Sequence, residues 1–288
     1  MSRVVAVTGA TGFVGAHVVR CLQKMPCCRV VAAGRNAARL RDLGVDYVVH
    51  DLDIESPDCY ERFGSPDVLI HLAWEGLPNY NELFHIEQNL VNSYRFLKAM
   101  VVGGLPTLAV SGTCYEYGLA SGCLCEDLTP TPTTSYGTAK DALRRFLEHL
   151  RMTTPYSLRW GRFFFMYGEG QNQRALIPQL DLALDNRVKA FNMSGGEQLR
   201  DYLPVERVAE LIVRVALQRS FDGIFNICSG NPVSVRRLVE QRIVARKGLI
   251  ELNLGTFPYP EHEPMAYWGD PSRLNQALNA FQKEYDYE

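Results

Sequence analysis

The sequence predicts an α/β protein, a doubly wound parallel sheet followed by a smaller C-terminal lobe. Three observations carry this. Short apolar runs alternate with helical patterns through the first half of the chain, the signature of strand–helix–strand units. The runs are β-branched and nearly continuous, as in Val4-Val5-Ala6-Val7, which suits strands covered on both faces. Beyond residue 167 the alternation gives way to sequence richer in Gly, Gln and Asn.

In chain order, Val4 to Thr8 is the first strand, and a helix runs through Leu22. Arg29 to Ala33, Tyr47 to His50 and Val68 to Ala73 are the next three strands, with a helix around Glu87 to Met100. Thr107 to Ser111 is the fifth strand and Arg159 to Met166 the sixth. Val205 to Leu217 reads as a helix, Ile224 to Cys228 as a short strand, and Ser234 to Val244 as another helix. Pro258, Pro260, Pro264 and Pro271 keep the tail as loop until a last helix near Ser272 to Ala280. The expected organisation is a first domain over 1–167 and a lobe over 168–288, with 201–230 packing back onto the first domain.

Composition excludes several classes. With 22% charged and 47% apolar residues in 288, the chain is neither disordered nor fibrous. A net charge of −2 gives no basic footprint for nucleic acid or an anionic membrane. No apolar run reaches the roughly 18 residues of a membrane span. Strand-like sequence begins at Arg3, which leaves no room for a signal peptide. The eight cysteines lack a paired CxxC frame, so they read as reduced thiols with no metal, in a protein expected in the cytoplasm.

Thr8-Gly9-Ala10-Thr11-Gly12-Phe13-Val14-Gly15 follows the first strand and opens a helix. Gly9, Gly12 and Gly15 remove side chains where the turn is tight, where backbone approaches a pyrophosphate and where helix packs on strand. The helix N-terminus then offers N–H groups to phosphate. This context points to dinucleotide binding; the plainer alternative is a glycine-rich turn that binds nothing. After the second strand the chain reads Gly34-Arg35-Asn36, with no acidic residue for a ribose 2′-OH. Arg35 would pair with a 2′-phosphate, so NADP(H) is favoured, with NAD(H) possible. Arg39 or Arg41 could take the same role, and Arg35 could be surface charge. Asp51, with Leu52, stands where a carboxylate can accept from an adenine amino group or simply cap a helix.

Tyr136 and Lys140 are four apart and share one helix face. A nearby ammonium favours phenolate, so Tyr136 could exchange a proton with an oxygen undergoing hydride chemistry.

These motifs, taken in order, resemble the extended short-chain dehydrogenase/reductase family, in its nucleotide-sugar epimerase/reductase branch, whose core is a Rossmann sheet. The matching stretches are the glycine loop, Asp51-Leu52, His71-Leu72-Ala73, Asn89-Leu90-Val91-Asn92-Ser93, Ser111 to Gly118, Tyr136 with Lys140, Tyr167-Gly168-Glu169-Gly170-Gln171, and Arg200 to Val205. The resemblance implies a dinucleotide held by Gly9, Thr11, Gly12, Phe13, Val14, Gly15, Arg35, Asp51, Leu52, Leu72, Ala73, Tyr136 and Lys140. It implies Thr113 on the reacting oxygen, Tyr136 as proton donor or acceptor, and Lys140 on the nicotinamide ribose. Cys114, Tyr115, Phe165 and Arg200 would line a nucleotide-sugar site, with Arg200 on the pyrophosphate. Thr113 could instead satisfy backbone, and Arg200 could pair with Asp201 or Glu206.

Departures narrow the chemistry. Cys114 and Tyr115 stand where the family's 4,6-dehydratases carry an Asp-Glu pair, so elimination of water is not expected. Cys114 is one position off the cysteine of the fucose-synthase branch. Phe165 replaces the usual Asn, and the second phosphate-contacting Arg before Gly269-Asp270 is missing. The expected activity is NADPH-dependent reduction of a nucleotide-linked 4-keto-6-deoxy sugar at C4; the alternative is a nucleotide-sugar 4-epimerase, and a non-catalytic dinucleotide sensor ranks below both. A homodimer is expected through helices around 89–100 and 136–150, where Ala139, Ala142, Leu143, Phe146, Leu147 and Leu150 form an apolar stripe. Part of that stripe must cover the chain's own sheet.

Overall fold

The computed structural model describes residues 2–52, 58–260 and 263–285. Seven strands form one parallel sheet: β1 (Arg3–Thr8), β2 (Cys28–Gly34), β3 (Asp46–Val49), β4 (Val68–His71), β5 (Thr107–Thr113), β7 (Ser157–Phe163) and β11 (Gly223–Ile227). Their order across the sheet is β11-β7-β5-β4-β1-β2-β3. Chain order reverses between β1 and β4, which opens a crevice at their C-terminal ends. The fold is the doubly wound Rossmann arrangement.

The period of two along β1 explains the two cores. Val5 and Val7 point into a layer with Val18, Leu22, Val208 and Ile212. These come from α1 (Phe13–Gln23) and α7 (Val205–Leu217). Ala6 points the other way, into a layer with Leu97, Leu143 and Leu147 from α4 (Val91–Val102) and α5 (Ser135–Thr153). The central strands β1, β4 and β5 are buried on both faces, hence their unbroken apolar runs, whereas β3 at the sheet edge is largely exposed.

A second set of short elements stands over the C-terminal edge. β8 (Phe165–Tyr167), β10 (Leu199–Pro204) and β12 (Pro232–Ser234) form a three-stranded sheet. β6 (Gly122–Leu124) pairs with β14 (Tyr267–Gly269), and β9 (Ala190–Asn192) with β13 (Glu251–Asn253). α6 (Leu176–Asp185) and α8 (Val235–Ala245) are tied by Arg242, whose guanidinium meets Asp181 at 2.7 and 2.8 Å.

Several boundaries differ from expectation. The run 159–166 is two strands. Phe164 turns into a separate aromatic cluster with Tyr117 and Tyr267, and β8 leaves the large sheet to pair with β10. The fourth strand ends at His71, so Leu72 and Ala73 lie on the loop beyond it. The helix expected from Glu87 begins as a wide π-helical turn over 85–90 before α4. The proline-rich tail contains β13 and β14, and the last helix, α9 (Ser272–Tyr285), is longer than expected. Ala139, Leu143, Leu147 and Leu150 are buried against the chain's own sheet, while Phe146 is exposed and meets Tyr94 of α4 edge-on at 5.4 Å. No described helix is long and apolar enough to cross a membrane.

Candidate active site

The glycine loop closes on itself and on the end of β4. Gly9 has φ +67°, and a Cβ there would sit 2.8 Å from the Ala73 nitrogen. A Cβ on Gly15 would come within 2.0 Å of the Gly9 carbonyl. These clashes with backbone explain both glycines. The Gly12 N–H donates to the Gly9 carbonyl at 2.9 Å. Gly12 heads α1 without a side-chain cap, so the first-turn N–H groups remain available to a phosphate. Arg39 braces the loop by donating to the Thr11 carbonyl at 2.7 Å. Phe13 packs edge-on to His17, and Val14 joins the core beneath. This cradle, at the point where strand order reverses, fits a dinucleotide pyrophosphate.

Arg35 forms an ion pair with Glu75, both side chains being more than half exposed. The guanidinium therefore reaches across from β2 to the loop after β4. Asp51 lies just past the Gly34 carbonyl, which accepts from His50 N–H at 3.0 Å. Leu52 packs on the core beside it.

Thr113 ends β5 and opens a tight helical turn over 114–117. Its hydroxyl accepts from the Tyr115 N–H at 3.3 Å, and its own N–H donates to Glu116 at 2.9 Å. Glu116 and Arg162 are fully buried, 2.7 Å apart, and Trp160 also donates to Glu116, at 2.9 Å. Thr113 is thus fixed through its backbone, and its hydroxyl is near enough to the Tyr136 phenol to lower that group's pKa. Tyr136 stands in the first turn of α5, where Thr134 caps the helix and Tyr136 N–H donates to the Tyr80 carbonyl at 2.9 Å. Burial raises the Tyr136 phenol pKa well above its ordinary value, and the neighbouring Thr113 hydroxyl opposes this. One turn on, Lys140 is 1% exposed. Its ammonium donates to the Ser111 carbonyl at 2.8 Å and lies 3.9 Å from the Trp74 ring centre. Burial pushes its pKa down to about 7, against the pull of Glu116.

The other side of the turn is aromatic and holds a second ion pair. Tyr115 donates to Glu263 at 2.5 Å, and Arg200 meets the same carboxylate at 2.8 Å. Arg200 also donates to the carbonyls of Leu199 and Met265, at 2.9 and 3.2 Å, and lies 4.5 Å from the Tyr267 ring centre. Its acidic partner is therefore Glu263, whereas Asp201 accepts from Ser229 and Gly230 and Glu206 approaches His17. Phe165 packs on Tyr202 and Tyr267 and faces Arg200. Cys114 is buried, and burial pushes its thiol up to about 12, which makes it a poor nucleophile.

Sequence reasoning missed Trp74, Tyr80, His85, Glu116 and Glu263. Tyr80 lies 4.7 Å from Tyr115 and 5.8 Å from Tyr136 between ring centres. Trp74 directly follows the recognised Leu72-Ala73 and could have been found by position. Tyr80 and Glu263 come from loops without a motif. All eight cysteines are free thiols, and among the described residues no cluster of metal-ligating side chains occurs.

The sequence matches the NAD dependent epimerase/dehydratase family over residues 5–228. The chain belongs to that family. Among curated members, dTDP-6-deoxy-L-talose 4-dehydrogenase (NAD(+)) of Aggregatibacter actinomycetemcomitans is 28% identical over 268 residues, covering 92% of this chain and 98% of that protein. GDP-6-deoxy-D-talose 4-dehydrogenase of the same organism is 24% identical, covering 98% and 92%. A solved structure of MoeE5 with UDP-glucuronic acid and NAD superposes with a TM-score of 0.81 at 27% identity, covering 96% and 92% of the two chains. A UDP-glucose 4-epimerase shares the fold at a TM-score of 0.85 and 18% identity, covering 96% and 92%. Like its relatives, this epimerase/dehydratase family member is an NAD(P)-dependent oxidoreductase or epimerase.

Proposed function

We propose that this protein interconverts the C4 alcohol and C4 ketone of a nucleotide-linked 6-deoxy sugar. The observation that carries the reading is Tyr136, buried in the first turn of α5 with Lys140 one helical turn on, its ammonium fixed on the Ser111 carbonyl of the strand that ends at Thr113. The dinucleotide supplies the hydride acceptor or donor when bound. Gly9, Gly12 and Gly15 would admit its pyrophosphate, and Lys140 would take the nicotinamide ribose. Thr113 holds the C4 oxygen. Tyr136 gives that oxygen a proton when the ketone is reduced and takes it back on oxidation. Burial keeps Tyr136 in its protonated form, ready for the reductive direction.

Dehydrogenase and ketoreductase are the two directions of this one step, and the two curated relatives are named for the former. The family's epimerases share its first half, so a 4-epimerase is the second reading, supported by the family match. For the cofactor we favour NAD(H) over the NADP(H) expected from Arg35. Glu75 neutralises Arg35, and a carboxylate there opposes a 2′-phosphate. Arg200 would meet the diphosphate by exchanging part of its contact with Glu263. A homodimer would use the exposed Phe146 with Val91 of α4, a face testable by mass in solution.

The test is turnover of dTDP-, GDP-, CDP- and UDP-linked 4-keto-6-deoxy sugars and their C4 alcohols with NADH/NAD and NADPH/NADP. Net, stoichiometric cofactor oxidation with one keto sugar is expected. C4 inversion without net cofactor change would establish the epimerase reading instead. No conversion of any member would overturn both.

A further inference from the structure

Trp74 is held by a chain of hydrogen bonds that runs away from the reacting atoms. Its indole N–H donates to His85 Nδ1 at 3.0 Å, and the two rings lie side by side, nearly coplanar, with a 16° interplanar angle and centres 6.2 Å apart. His85 Nε2 lies 3.0 Å from the Asn79 carbonyl. A carbonyl only accepts, so Nε2 carries the proton and Nδ1 is the acceptor. The Asn89 amide also donates to Nδ1, at 3.2 Å, and to the Glu75 carbonyl, at 3.1 Å. His85 is completely buried, which favours this neutral form. The indole plane is therefore fixed, and its face lies 3.9 Å from the Lys140 ammonium while its edge meets Tyr136 at 5.9 Å.

We propose that Trp74 is a positioning residue whose ring face, locked by His85, keeps the Lys140 ammonium charged and in place beside Tyr136. The inference rests on the reading of Tyr136 and Lys140 as the proton-transfer pair. The ionisable groups around Lys140 are Glu116 from the turn after β5, His71 from β4, His85 from the turn before α4, and Tyr136 on its own helix. Glu116 is already engaged by Thr113, Trp160 and Arg162, and His71 and His85 are neutral. The Ser111 carbonyl supplies one hydrogen bond. The indole face supplies the remaining stabilisation of a buried cation, as ring quadrupoles do when water is excluded.

The chain has six lysines, so selective 13C labelling of lysine gives a countable spectrum of the protein alone, with Lys140 assigned from Lys140→Met. In the native protein the Lys140 ε-methylene protons should be shifted upfield by the indole ring. Trp74→Leu should abolish that shift and lower the Lys140 titration midpoint by roughly one pH unit. The sign follows from the ring favouring the charged form. Trp74→Phe keeps a ring face and should restore most of both. In turnover, Trp74→Leu should raise the KM for the dinucleotide more than it lowers kcat, and bring the high-pH loss of rate to lower pH. An unshifted Lys140 signal in the native protein, an unmoved midpoint in Trp74→Leu, or a Trp74→Phe that behaves like Trp74→Leu would each overturn the proposal. The NMR arm reads the contact without any substrate, so it decides this inference even if every sugar nucleotide above proves inert.

Discussion

Two buried arginine–glutamate pairs flank the turn at Thr113, and they are built for different work. On the inner side Glu116 and Arg162 are fully enclosed, and the carboxylate also accepts from Trp160 and from the Thr113 N–H. On the outer side Arg200 is equally buried, but Glu263 retains 12% exposure and reaches Tyr115 in the candidate sugar site. The inner pair has no route to a ligand and can only fix Thr113. In the function proposed above, the outer pair is the one that would meet a diphosphate and trade partners. On that reading identical charges serve geometry on one side and recognition on the other, with accessibility making the difference.

This comparison can be broken by mutation, starting where the effect is largest. Glu116→Gln leaves Arg162 buried with a weakened partner, and removal of one member of such a pair costs about 3–5 kcal/mol. Urea unfolding should show that loss, together with lower turnover; native stability would mean that the inner pair is dispensable. Acid should strain the same inner side through His71. Its Nδ1 meets the Thr8 hydroxyl at 2.8 Å, and burial, then Lys140, lowers its pKa to about 3. The folded protein thus binds this proton later than the unfolded chain, whose imidazole titrates near 6.5. Stability present above about pH 6.5 is lost as pH falls towards 3, on the order of 3 kcal/mol by pH 4. His71→Asn should flatten that part of the pH dependence in urea midpoints taken at pH 7 and 4.

On the outer side the effects belong to binding. Arg200→Met removes a charge-assisted contact worth roughly 1.5–3 kcal/mol, so the sugar-nucleotide KM should rise about ten- to a hundredfold. Dinucleotide affinity should stay unchanged, and a matching loss there would place Arg200 in the wrong site. The smallest effect is expected at the exposed Arg35–Glu75 pair, where such contacts are worth about 0.2–1 kcal/mol. Glu75→Gln should free Arg35 and shift the NADPH/NADH preference towards NADPH by a few-fold in competition kinetics.

The same contrast explains what the sequence reveals. The dinucleotide cradle is legible because backbone demands it locally: Gly9 and Gly15 are forced by contacts with Ala73 and with each other, and β-branched runs mark strands buried on both faces. Tyr136 and Lys140 are legible because one helix turn relates them. The outer side is assembled from residues far apart, with Tyr115 and Arg200 meeting on Glu263 across 148 and 63 positions. Arg200 is readable from the resemblance as a cation for a pyrophosphate, but Asp201 and Glu206 are the nearer carboxylates in sequence and Glu263 is its partner in space. The break at Phe164 is hidden because Phe163, Phe164 and Phe165 are all apolar, although Phe163 joins the large core while Phe164 and Phe165 belong to the cluster with Tyr117 and Tyr267.

The central claim is that Tyr136 carries the proton at C4. Turnover of Tyr136→Phe, measured beside dinucleotide binding to the same protein, tests it most directly. The phenyl ring keeps the contacts with Trp74, Tyr80 and His85 but has no proton to give. Turnover should fall by about 10²- to 10⁴-fold while dinucleotide affinity holds. Near-native turnover with the dinucleotide still bound would contradict the account and move the proton to another group.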